Sequence, residues 1–161
     1  MATGPSRSTA CKSPVPILAR KPCQSTRVIT ADSSVWIDYL GGRMTPKAKL
    51  LDQVLEDSSR DVVLLDVVLM EVLRGCHFEH EWRLTNEALS DLPVHIAGGD
   101  VIARAAAALY RQLRKTGVTV RSPIDLLVGS WCINSGCALI HNDRGFAPMQ
   151  HHGLQALSSA K

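Results

Sequence analysis

Two kinds of apolar block take turns along this chain. One is a short run of consecutive apolar residues, rich in Val, Ile and Leu; the other spaces its apolar residues three or four apart. The first kind predicts strands and the second predicts helices that lay one face on a core. Strands are expected at 27–31, 62–65, 94–96 and 137–141, with a last short one at 154–157. A short helix is expected at 34–40, closed by Gly41-Gly42. Another spans 45–57, where Ala48, Leu51, Val54 and Leu55 fall at helical spacing and Pro46 suits a first turn. Residues 67–74 are apolar almost all round, which predicts a buried helix ended by Gly75. An amphipathic helix follows at 78–90, an Ala-rich one at 100–115, and one at 122–135 that opens on Ser122-Pro123 and stops at Gly136. No internal repeat occurs. Strands alternating with helices predict an α/β sandwich around a mostly parallel sheet. In such sheets a ligand site lies outside the carboxyl ends of the strands.

The first 27 residues follow neither period. They are rich in Ser, Pro, Lys and Arg, and a disordered or loosely attached basic tail is expected there. An organelle transit peptide would share that composition but calls for an amphipathic stripe, which is lacking. The tail changes the reading of charge. It holds five of the 18 Lys and Arg and none of the 15 Asp and Glu, so the formal +3 becomes 13 basic against 15 acidic residues, −2, over 28–161. Net charge therefore implies no broad phosphate-binding surface, and a polyanion would be held locally by a few arginines or by metal ions. The five cysteines, at 11, 23, 76, 132 and 137, are odd in number and lack metal-type pairing. Reduced thiols in a cytoplasmic protein are expected. No apolar run approaches the ~20 residues of a membrane-spanning helix.

Four acids stand where the strand-end rule makes them interesting. Asp32 ends the first strand, Asp143 follows the strand at 137–141, Asp125 lies in the first turn of its helix, and Glu71 is the one acid inside VVLMEVLRG. Each also has an ordinary local use. Asp32 can cap the next helix, worth about 1 kcal/mol. Asp125 fits a capping box with Ser122. Asp143 begins the turn sequence Asn142-Asp143-Arg144-Gly145. Glu71 can bridge to Arg74 for a few tenths of a kcal/mol, although its neighbours are too apolar for a solvated face. Carboxylates brought together repel unless a cation lies between them. Hard divalent cations take oxygen ligands, and such a site suits phosphodiester hydrolysis.

The stretches DSSVWIDYL, EVLRG, RSPIDLLVGSWC and LIHNDRGF, in that order and with the acids 39, 54 and 18 residues apart, resemble PIN-domain proteins. Within them they resemble the VapC toxins of bacterial toxin–antitoxin pairs. The resemblance covers roughly 28–157. It implies a three-layer α/β/α sandwich with a central mostly parallel sheet, and an endoribonuclease dependent on Mg²⁺ or Mn²⁺. It also implies an acidic antitoxin partner and a homodimer. By position, Asp32, Glu71, Asp125 and Asp143 match the catalytic, metal-holding acids, and Ser34 matches the residue that positions the first Asp. Many members carry a further acid two residues past the last Asp. Gly145 stands there in this chain, which puts a second metal position in question.

Arg121 and Arg144 adjoin the acids in sequence and are candidates for gripping RNA phosphates. Arg74 is read as a structural cation. Cys76, His77 and His80 offer too few ligands for zinc and are read as a solvated helix face. Trp36, Ile37, Tyr39 and Leu40 are expected to be part core and part apolar patch. Two rival readings accompany the nuclease toxin: a PIN-like module that binds RNA or protein without cutting, favoured by Gly145, and a PIN nuclease of RNA maturation with no antitoxin.

Overall fold

Consecutive β-branched residues build the first strand. In the computed structural model, which describes residues 27–158, Val28–Ala31 forms β1, and Ile29, Thr30 and Ala31 are all buried. Asp32 ends it and caps α1, Ser33–Leu40. Helix α2, Pro46–Glu56, has Thr45 as its cap, with the Ala48 N–H donating to Thr45 Oγ1 at 3.2 Å. Next come β2 (Asp61–Val62), β3 (Leu64–Leu65), α3 (Asp66–Arg74), α4 (Glu79–Leu89), β4 (Val94–His95) and α5 (Asp100–Lys115). Helix α6 is Pro123–Ser135, closed by Gly136 in the left-handed conformation that glycine adopts without strain. Then follow β5 (Ala138–Ile140), a 3-10 segment over Arg144–His152, and β6 (Gln155–Ala156).

All strand pairs are parallel. One sheet has the order β2-β1-β5-β6, and β3 pairs with β4. Every residue of β5, like three of the four in β1, is buried, so helices must cover both faces of the sheet. This is the expected α/β/α arrangement. The expected single strand at 62–65 is instead two pieces. The Val63 N–H still donates to Ile29 O at 2.9 Å, but the Leu64 N–H donates to Pro93 O at 3.0 Å. The chain thus hands its pairing from β1 to β4, a tertiary event that a local pattern does not encode.

Two other expectations change. Helix α4 exists but is barely amphipathic in use: Leu89 is buried, while Phe78, Trp82 and Leu84 are 62%, 41% and 60% exposed. Residues 144–152, read as turn and loop, form the 3-10 segment, in which Phe146 and Met149 are fully buried. Their spacing of three matches its three residues per turn. Trp36 belongs wholly to the core, with its ring edge-on to Tyr39 at 6.2 Å, and Ile37 is the exposed member of that group. The expected tail at 1–27 lies, apart from Arg27, outside the described residues. Among the described residues no helix is long and apolar enough to cross a membrane.

Candidate functional site

The carboxyl ends of β1 and β5 lie side by side, because the Asp32 N–H donates to Ile140 O at 2.9 Å. Asp32 is only 6% exposed. Its Oδ2 accepts the Ser34 hydroxyl at 2.8 Å and the Ser34 N–H at 3.3 Å, so Ser34 orients it as expected. Asp143 follows β5 by three residues, and its Oδ1 accepts the Gly145 N–H at 2.7 Å. Asp125 sits in the first turn of α6, its N–H donating to Ser122 Oγ at 3.2 Å. Glu71 is half-buried on α3, which packs against both α1 and α6.

Three of these carboxylates bear on the fourth. The Asp125 carboxyl is pushed from 3.8 up to about 6, chiefly by burial; the Ser122 hydroxyl opposes this, and the charges of Asp32, Asp143 and Glu71 add to it. A Cβ placed on Gly145 would lie 3.3 Å from Asp143 Oδ1 and 3.7 Å from Asp125 Oδ2, so both acids border the same small space. The structure thus sets Asp125 and Asp143 on one space, with Asp32 on the adjoining strand end and Glu71 on the helix packed against α6. No ion pair neutralises them: the four pairs among the described residues are Arg27–Asp61, Arg43–Asp38, Arg60–Asp57 and Arg104–Asp100. The expected neutralising role of Arg74 is thus corrected, since Arg74 is exposed and pairs with no described acid, Glu71 included. Arg121, just before the α6 cap, and Arg144, just after Asp143, are exposed and equally unpaired.

Two neighbours escaped the sequence reading in whole or in part. His141 is half-buried, its Nδ1 2.9 Å from the Asp143 carbonyl oxygen and its ring 5.0 Å from Phe146. Burial pushes its pKa down and the Asp143 carbonyl resists; Lys47 lowers it further, against the Asp32 and Asp143 charges. Lys47 itself gave no signal, because only tertiary folding brings α2 to this strand end. Away from the site, His77 and His80 are exposed, His80 stacks on Phe78 at 5.8 Å, and Cys76 lies 3.6 Å from Thr85 Oγ1.

The donor set fits a hard divalent cation. All four donors are carboxylates, and the charges of Asp32, Asp143 and Glu71 add to the burial that raises the Asp125 carboxyl. As the side chains stand, no three Asp, Glu, His or Cys groups among the described residues close around one point.

The structure defines a parallel α/β protein with carboxylates at the carboxyl ends of its strands. The PIN domain family model matches residues 29–151, and the chain belongs to that family. The chain is similar to VapC ribonuclease Mb1587 of Mycobacterium bovis and to Ribonuclease VapC11 of Mycobacterium tuberculosis. Each is 27% identical over 119 residues, covering 74% of this chain and 89% of the relative. Its fold is similar to that in VapBC2 from Rickettsia felis bound to a promoter DNA fragment, at TM-score 0.66 and 15% identity, covering 81% and 97% of the two chains. It is also similar to that in VapBC-5 from Mycobacterium tuberculosis, at TM-score 0.60 and 21% identity, covering 83% and 99%.

Proposed function

We propose that this chain is a divalent-cation-dependent endoribonuclease, the toxin half of a toxin–antitoxin pair, working in the cytoplasm. The observation that carries the reading is the gathering of Asp32, Glu71 and Asp143 about the half-buried Asp125, whose carboxyl is pushed up to about 6. Membership of the PIN family and similarity to proteins named VapC ribonucleases support it. Asp32, Glu71, Asp125 and Asp143 would hold Mg²⁺, or Mn²⁺ in its place. When bound, the ion neutralises the phosphate and activates a water. The chain does the rest. Ser34 holds the Asp32 carboxylate in one orientation, and Ser122 Oγ, accepting the Asp125 N–H, fixes the backbone from which the Asp125 carboxyl leaves. Arg121 and Arg144, exposed and unpaired, grip flanking phosphates. The partner is a cognate antitoxin that covers the acids, and the toxin assembles as a homodimer. Similarity in fold to VapBC-5, a member of the VapBC family of toxin-antitoxin systems, supports the antitoxin.

Purified protein is given total cellular RNA, including tRNA and rRNA, in Mg²⁺, Mn²⁺ or EDTA, with Asp125→Asn alongside. Cleavage that needs the ion and is lost in the variant is expected. Cleavage indifferent to both would refute the acid site. RNA retained but never cut would establish the non-catalytic reading, with Gly145 the residue to change first.

A further inference from the structure

We propose that Lys47 is an RNA phosphate-binding residue on the rim of the acid site, an inference that rests on the nuclease reading above. Lys47 lies in the first turn of α2, and its Nζ donates to the Leu157 carbonyl at 3.0 Å. Leu157 is itself fastened to β5, its N–H donating to Leu139 O at 2.9 Å. Leu139 stands two residues before His141 and four before Asp143. The ammonium is therefore held against the exit of the strand that leads to the acid site. Helix α2 itself packs against β5, the strand whose carboxyl end leads to His141 and Asp143.

Three features make this lysine poorly explained as a structural cation. It is half-buried, yet no carboxylate lies within 4.0 Å of it among the described residues. It occupies the first turn of an 11-residue helix, where the helix dipole disfavours positive charge. One of its three N–H donors goes to Leu157, and no other described residue takes the remaining two. A cation kept short of anions beside four carboxylates suits an anion that arrives from outside. The polyanion for which this site is proposed supplies one at each nucleotide. Arg121 and Arg144 enter from the loops before α6 and after β5, and Lys47 from α2, so the three contacts would lie on separate elements around the acids.

The test measures binding of a fluorescein-labelled 12-nucleotide single-stranded RNA by anisotropy, in Mg²⁺, in the cleavage-silent Asp125→Asn background. Salt is varied from 50 to 300 mM. Adding Lys47→Gln is expected to weaken binding about fivefold near 0.1 M salt and to lower the slope of log K against log salt by about 0.7, one phosphate's worth for a single strand. Lys47→Arg is expected to restore most of both. An unchanged affinity and slope in Lys47→Gln would overturn the proposal. So would a loss of affinity that follows a fall in melting temperature and that Lys47→Arg leaves unrestored, because the lysine would then only anchor Leu157. Protein with native Lys47 that neither binds this probe nor, with Asp125 intact, cuts RNA would instead remove the nuclease reading and this inference with it.

Discussion

Asp125→Asn should stabilise the metal-free protein, and the sign is the informative part. The carboxyl rises from 3.8 to about 6 on folding. A raised acid pKa means that folding binds a proton more tightly than the unfolded chain does. The group therefore costs nothing below the unfolded pKa, and its cost grows as pH climbs through 4 to 6 and stays constant above. At 1.36 kcal/mol per pKa unit the full shift would be about 3 kcal/mol. The carboxyl is only partly buried, and solvent screening reduces this to about 1 kcal/mol. In EDTA at pH 7.5 the Asn variant should therefore melt about 3–6 °C above the wild type. The gap should close at pH 4. Mg²⁺ should reverse the order, since an ion at tenfold its Kd adds about 1.4 kcal/mol to the form that binds it. Thermal melts at pH 4, 6 and 7.5, with EDTA and with 10 mM Mg²⁺, read all three effects. A wild type more stable than the variant in EDTA at pH 7.5, or a gap indifferent to pH, would refute the raised Asp125 carboxyl.

Gly145→Asp adds a carboxylate beside oxygens that already lie 3.3 and 3.7 Å from its Cβ. It should destabilise the metal-free protein at pH 7.5 and lower the Mg²⁺ midpoint for thermal stabilisation by about threefold or more; an unchanged midpoint would place residue 145 outside the site. Ser34→Ala removes the 2.8 Å hydroxyl bond to the buried Asp32 and leaves only the longer backbone bond at 3.3 Å. Urea titration should show a loss of about 1.5–3 kcal/mol. Phe146→Ala empties a fully buried position beneath His141 and should cost about 3–5 kcal/mol by the same assay; a loss under about 1 kcal/mol would mean that the 3-10 segment does not rest on it.

How legible the molecule was depended on whether the cause was local. The strand at β1 follows from four consecutive strand-forming residues, and α2 and α6 announce themselves through Thr45-Pro46 and Ser122-Pro123, caps followed by proline at the first turn. Local readings failed where distant contacts decide. Residues 62–65 look like one strand because nothing in them records that Val63 faces Ile29 while Leu64 faces Pro93. Glu71 and Arg74 have the spacing of an ion pair that the fold leaves unmade. The 3-10 segment hid behind turn chemistry at 142–145 and Pro148, although Phe146 and Met149 carried its period. Lys47 was invisible for the same reason as the split strand: its partner, Leu157, lies 110 residues away in the chain.

The acids were legible because their local caps and the proposed site call on one geometry rather than competing ones. Asp32 caps α1, Asp125 sits in the cap of α6, and Asp143 caps the 3-10 segment. Each cap fixes the backbone at the point where a carboxyl group leaves it. In Asp32 the local bonds fall on Oδ2, and in Asp143 on Oδ1, so one oxygen of each has no hydrogen-bond partner among the described residues. A carboxylate held by one oxygen and free at the other is oriented without being consumed, which a cation site requires. Glu71 has no such cap and depends on α3 being wedged between α1 and α6. Of the four, it is the acid whose position depends on packing, so core substitutions at α3, such as Val72→Ala, should disturb the site through Glu71 before they disturb the capped aspartates.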